Sequence, residues 1–172
     1  MEIPRVLISP EQIKSRVERL AEEISKDHPE HSGDLVFVSV LKGAFIFTAD
    51  LLRSMARPAD IEFISVSSYQ GTTSTGHVRL IQDVSADIAG KQVILIEDII
   101  DSGLTVDYLL KVLLVRQPAS LRVCTLLAKP SQHRMHFDIS YVGFEIPNRF
   151  VVGYGMDFNG KYRQLPFIGA LA

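Results

Sequence analysis

The chain has 172 residues, 47% of them hydrophobic, and a formal net charge of −2. The slightly acidic balance leaves no broad basic face for non-specific nucleic-acid binding, and no apolar run approaches the ~18 residues of a membrane span. The single cysteine, Cys124, lies in an apolar run over 123–127 and reads as a small core residue. It cannot form an internal bridge, which fits a reducing compartment. No long apolar segment follows residues 1–5, so one cytoplasmic domain spanning 1–172 is expected.

Ser9, Pro10 and Gln12 read as a helix N-cap, a first-turn proline and a capping-box partner. Ile13, Val17, Leu20, Ala21 and Ile24 then recur at helical spacing, which predicts an amphipathic helix over 10–26. A strand with little alternation follows over 35–41, then a turn at Lys42-Gly43, a helix over 44–55 and a strand over 61–66. From 67 to 76 the chain is almost wholly Ser, Thr, Gly and Gln, with Tyr69 alone among them. A polar loop this long inside a compact domain predicts a lid. A short strand over 78–81 and a turn at 89–91 come next, then a buried strand over 93–96. Val106, Leu109, Leu110, Leu113 and Leu114 mark the apolar side of a helix, and strands are expected over 121–127, 141–144 and 150–152. Strands alternating with helices imply a largely parallel α/β sheet flanked by helices. Ligands of such sheets sit beyond the C-terminal strand ends. Lys42-Gly43, residues 97–105 and Lys129 all follow strands and can converge on one edge.

The segment Val93-Ile94-Leu95-Ile96-Glu97-Asp98-Ile99-Ile100-Asp101-Ser102-Gly103-Leu104-Thr105 carries the most information. An aliphatic run leads into three carboxylates, then into small residues at a helix start. A helix N-terminus offers unpaired N–H groups and a positive dipole end, which suit phosphate. Carboxylates beside a phosphate require an intervening positive charge, from a metal ion or a cationic transition state. No Gly-x-x-x-x-Gly-Lys-Ser/Thr loop and no Gly-x-Gly-x-x-Gly turn occurs.

This pattern resembles the phosphoribosyl-pyrophosphate loop of the type I phosphoribosyltransferases. Three further segments are similar to the hypoxanthine-guanine (6-oxopurine) branch of that family. They are Val40-Leu41-Lys42-Gly43-Ala44, Ser68-Tyr69, and the stretch from Val142-Gly143-Phe144 through Asn148-Arg149-Phe150-Val151-Val152-Gly153-Tyr154-Gly155-Met156-Asp157. The resemblance runs in order over nearly the whole chain. It implies the type I phosphoribosyltransferase fold, with a small hood from the N- and C-terminal segments and a flexible lid at about 67–77. It implies purine salvage: transfer of the 5-phosphoribosyl group from phosphoribosyl pyrophosphate to hypoxanthine, guanine or both, giving IMP or GMP and pyrophosphate. Mg²⁺ is the implied cofactor, and a homodimer or homotetramer the implied assembly, with no nucleic-acid or membrane partner.

The resemblance also assigns roles. Asp101 to Thr105, that is Asp101, Ser102, Gly103, Leu104 and Thr105, would hold the ribose 5′-phosphate. Glu97 and Asp98 would face the ribose hydroxyls directly or through Mg²⁺, with Asp157 at a second Mg²⁺ and near the purine. Asp101 matches the general acid–base at purine N7; the same oxygens suit a helix N-cap, and both roles stay open. Lys129 would read O6, Phe150 would stack on the base, and the Val151 backbone would contact its edge. Lys42, Gly43 and Arg163 would bind pyrophosphate, the Leu41–Lys42 peptide can be cis, and Ser68 and Tyr69 belong to the lid. Leu104 stands where several relatives carry a polar or basic residue, and Arg149 where lysine is frequent. Two alternatives stand beside the enzyme reading: a nucleotide-sensing regulator of the same fold that binds nucleic acid, against which the charge argues, and the same enzyme preferring xanthine.

Overall fold

The computed structural model describes residues 4–69, 77–130 and 136–171. Strand β1 (Arg5–Ile8) leads into helix α1 (Pro10–Asp27). The capping box is formed as the sequence predicts: Gln12 N–H donates to Ser9 Oγ at 3.3 Å, and Ser9 N–H donates to Gln12 Oε1 at 2.9 Å. Strand β2 (Leu35–Leu41), helix α2 (Phe45–Ser54), β3 (Asp60–Tyr69) and β4 (His77–Gln82) follow. Next come β5 (Gln92–Ile100), α3 (Leu104–Leu114), β6 (Ser120–Ala128), β7 (Tyr141–Glu145), β8 (Val151–Val152) and β9 (Ile168–Ala170).

Six strands form the main sheet in the order β4-β3-β2-β5-β6-β7. All neighbours are parallel except the β3–β4 pair. Strands buried on both faces need helices on both, and the alternation of side chains divides the core accordingly. Leu35 and Phe37 of β2, with Ile94 and Ile96 of β5, pack against α1 and α2. Val36, Val38 and Val40, with Val93 and Leu95, pack against Val106, Leu109 and Leu113 of α3. A second, antiparallel sheet, β1-β9-β8, joins the two ends of the chain.

Several boundaries differ from the sequence reading. Strand β5 does not stop at 96: Glu97, Ile99 and Ile100 stay in register with Thr125, Leu127 and Ala128 of β6. Strand β3 continues through Ser67, Ser68 and Tyr69, which pair with Arg79, Val78 and His77. The first residues of the lid expected at about 67–77 are thus strand, not loop, and 70–76 lie outside the described residues. Phe150 precedes β8 instead of opening it. No helix among the described residues is long and apolar enough to cross a membrane.

Two side chains fasten the scaffold. Arg16 of α1 donates to the Gly143 carbonyl at 2.9 Å and the Val142 carbonyl at 2.6 Å, tying the helix to edge strand β7. Gln92, the first residue of β5, accepts through Oε1 from His28 Nδ1–H at 2.5 Å, and its Nε2 donates to the Ser32 carbonyl at 2.7 Å. His28 is 1% exposed, and its Nε2 has no hydrogen-bond partner. The Gln92 contact therefore makes Nδ1 the satisfied nitrogen of a buried ring. Gln92→Ala is expected to lower stability by about 1–3 kcal/mol, the cost of stranding a buried polar group. Urea denaturation monitored by circular dichroism measures this; an unchanged midpoint would show that the contact contributes nothing.

Candidate active site

Register creates the site. Ile100 pairs with Ala128, and both strands end there. Asp101 and Lys129 consequently leave the sheet side by side. The Lys129 N–H donates to the Ile100 carbonyl at 3.0 Å, and its Nζ donates to Asp101 Oδ2 at 2.8 Å. The two partners differ in environment: the Lys129 side chain is 7% exposed, that of Asp101 53%. The competing role for Asp101 is not taken up. Gly103, at φ +82°, is the N-cap of α3 and brings no side chain to it; the Ser102 hydroxyl accepts the Leu104 N–H at 3.5 Å. A left-handed residue here suits glycine.

Ser102, Gly103 and Thr105 line a cavity of about 300 Å³, closed by Val40, Leu41, Gly43 and the end of β5. Leu104 is 59% exposed and is not among the lining residues. Glu97 is buried at 6% exposure, and its Oε1 accepts the Asp98 N–H at 3.2 Å. Burial, and then the neighbouring Asp98 charge, push the Glu97 carboxyl well above its ordinary range.

The turn after β2 is fitted to Asp98. A Cβ on Gly43 would lie 1.9 Å from Asp98 Oδ2, so a side chain at 43 would displace that carboxylate. The Leu41–Lys42 peptide before it is cis. From the other side Gly155, at φ +98°, approaches so closely that a Cβ there would lie 2.5 Å from the Gly43 carbonyl oxygen. Two glycines thus set the turn between β5 and the 153–156 segment. Gly155 carried no role in the assignment above, and only the contact with Gly43 reveals its part.

A second cavity, also about 300 Å³, shares Gly43, Asp98, Ile99 and Asp101 with the first. Its remaining walls are Lys42, Lys129, Phe150, Val151, Met156, Asp157 and Arg163. Phe150 is 53% exposed, not a buried strand residue, and meets Phe158 edge to face at 5.4 Å. Val151 is buried and pairs with Ala170. Asp157 and Arg163 are brought together as an ion pair, Nη2 to Oδ1 at 2.6 Å, while Asp157 Oδ2 accepts the Gly160 N–H at 2.7 Å. No group of three or more His, Cys, Asp or Glu side chains among the described residues could hold a metal. Glu97 and Asp98 therefore form one carboxylate pair and Asp157 stands apart from it. Ser68 and Tyr69 are placed by their backbone pairing in β3.

A larger cavity, about 500 Å³, opens between α1, α2 and residues 154 and 164–166. Its Asp50 carboxylate is already engaged by the Tyr154 hydroxyl at 2.5 Å and by Arg53. It contains none of the residues that the strand ends bring together; those line the two smaller cavities.

The phosphoribosyl transferase domain model matches residues 9–159. The chain belongs to the phosphoribosyltransferase family. It stands in the hypoxanthine-guanine branch. It is 49% identical to the hypoxanthine-guanine phosphoribosyltransferase of Mycobacterium avium, covering 99% of this chain and 86% of that one. It is 41% identical to the hypoxanthine phosphoribosyltransferase of Escherichia coli (strain K12), covering 95% and 93%. A crystal structure of a hypoxanthine-guanine phosphoribosyltransferase from Bacillus anthracis, with HEPES in its active site, superposes at a TM-score of 0.94 with 45% identity, covering 99% and 100%. The type I phosphoribosyltransferase fold expected from the sequence is the fold observed.

The raised Glu97 carboxyl carries a stability consequence. The folded protein holds this proton to higher pH than the unfolded chain, whose value is near the ordinary 4.5. Stability linked to Glu97 is therefore full below that pH and falls as pH rises and the group ionises. Glu97→Gln removes the titration and keeps an oxygen for the Asp98 N–H. The variant, free of ligand and divalent ions, should melt higher than the parent at pH 7, with the gap narrowing toward pH 4.5. Differential scanning calorimetry at the two pH values tests this; an unchanged gap would assign the effect to something other than ionisation.

Proposed function

We propose that this phosphoribosyltransferase transfers the 5-phosphoribosyl group of phosphoribosyl pyrophosphate to a 6-oxopurine, hypoxanthine or guanine, releasing pyrophosphate and forming IMP or GMP. The observation that carries this reading is the Asp101–Lys129 pair at the ends of β5 and β6. N7 and O6 are neighbours on one purine edge. A carboxylate beside an ammonium addresses both: Asp101 accepts the N7 proton, and Lys129, a donor only, donates to O6. A 6-amino group offers donors where Lys129 needs an acceptor.

In the forward reaction N9 of the base bonds to ribose C1′ as the bond from C1′ to the pyrophosphate oxygen breaks. The electron pair leaves with pyrophosphate, and the N7 proton passes to Asp101. The sugar develops oxocarbenium character, which the carboxylates at the end of β5 favour electrostatically. The N-terminus of α3, with the Ser102 and Thr105 hydroxyls, suits the 5′-phosphate. Phe150 offers an exposed ring for the base to stack on, and the Lys42-Gly43 turn and Arg163 face the pyrophosphate.

Glu97 and Asp98 fit a divalent cation. They are hard oxygen donors, Glu97 being raised by burial and then by the Asp98 charge, and Mg²⁺ commonly takes one or two carboxylates together with substrate phosphates. Asp157 is the candidate at a second position. When bound, Mg²⁺ would neutralise the diphosphate and make it a better leaving group.

The decisive experiment is Asp101→Asn. Asparagine keeps an oxygen for Lys129 but cannot take the purine proton. The forward rate with hypoxanthine or guanine at saturation should fall about 10²- to 10⁴-fold, the usual worth of general acid–base catalysis. Turnover near the parent's would remove Asp101 from the chemistry.

Lys129→Gln tests the other half of the pair. Glutamine can donate to O6 or accept from a 6-amino group. The ratio of kcat/KM for hypoxanthine over adenine should drop by at least about tenfold, equivalent to one good hydrogen bond of ~1.4 kcal/mol. An unchanged ratio would show that position 6 is read elsewhere.

A further inference from the structure

We propose that Phe158 is a positioning residue for the purine: its ring holds Phe150 in the orientation in which Phe150 stacks on the base. The inference rests on the reaction proposed above. The Phe150 backbone is well fixed, because Val151 pairs with Ala170 and the Leu171 N–H donates to the Phe150 carbonyl at 3.2 Å. Its side chain is not fixed by burial, being 53% exposed. The ring contact that orients it is Phe158, with centroids 5.4 Å apart and planes at 77°. In this arrangement the positive edge of one ring meets the negative face of the other. Such a contact covers at most one face of Phe150 and leaves the other free for a base.

Phe158 is itself 46% exposed, so core packing gives no reason for a phenylalanine there. Its backbone, by contrast, is held firmly. Phe158 and Lys161 exchange N–H···O bonds of 3.2 and 3.1 Å. Asp157 accepts from Gly160 at 2.7 Å and pairs with Arg163 at 2.6 Å. A turn closed this way supports a ring at a defined position. The same turn carries Asp157 and Arg163, so the base-stacking ring and the pyrophosphate-facing arginine are set by one element.

The test compares Phe158→Ala, Phe158→Leu and Phe158→Tyr with the parent, reading KM for hypoxanthine, KM for phosphoribosyl pyrophosphate, and IMP affinity by titration calorimetry. Leucine keeps apolar volume without a ring, which separates orientation from folding. Alanine and leucine should raise hypoxanthine KM and the IMP Kd roughly 2- to 12-fold, the factor corresponding to an aromatic pair. KM for phosphoribosyl pyrophosphate should change less, and tyrosine should restore parental values. In a Phe150→Leu background, Phe158→Leu should add nothing further, because the two act through one contact. Parental IMP affinity in Phe158→Leu, or additive losses in the double variant, overturns the proposal. A parent that neither converts a 6-oxopurine nor binds IMP overturns the reaction itself, an outcome distinct from both.

Discussion

The parallel register of β5 with its two neighbours is the constraint from which the site follows. Ile100 and Ala128 end level, so an aspartate and a lysine emerge together. On the other flank Ser39 pairs with Ile96, which brings the turn after β2 alongside Asp98. A slip of one residue in either pairing would turn every buried side chain of the strand to the opposite face. The core therefore enforces the alignment of Asp101 with Lys129. Positioning by hydrophobic alternation is less adjustable than positioning by loops, and it lets exposed Asp101 and buried Lys129 meet at hydrogen-bond distance without help from a third side chain.

The site opposes the stability of its own scaffold. Glu97 sits at the end of an all-apolar run with only 6% exposure and another carboxylate next to it. Tertiary packing around β5 outweighs this penalty. A fold selected for stability alone would place an amide or a hydrophobic residue there. Cys124 on the adjacent strand illustrates the contrast: burial pushes its thiol far above the ordinary range, and it serves as inert packing.

Sequence legibility followed the strength of local signals. The strand with little alternation expected over 35–41 matches β2 to the residue, and α1 is visible from both its cap and its period. Strand β5 was read as too short because Glu97 and Asp98 look like a strand end; only their pairing partners on β6 reveal that the ladder continues. Ser67, Ser68 and Tyr69 have loop-like composition but acquire strand geometry from β4. Strands β1 and β9, of 4 and 3 residues, are too short to show a period and depend on contacts across the length of the chain. At the site, the residue types around Asp101 were recognisable by resemblance. Whether Asp101 caps α3 was not, since that depends on where Gly103 and Lys129 arrive. Phe158 carries no local pattern at all and becomes visible only through its ring contact with Phe150.

The Arg16 contacts bear on how this molecule avoids its own kind. β7 is the last strand of the main sheet, and an unpaired strand edge is a template for another chain. Successive carbonyls along a strand point in opposite directions, so of Val142 and Gly143, one points away from β6. Arg16 occupies both, and it brings a charge that is expensive to desolvate. A helix residue thereby makes the edge a poor partner for an invading strand. Loss of that guanidinium would show itself first as aggregation at high concentration, before any change at the far ends of β5 and β6, where Asp101 and Lys129 meet.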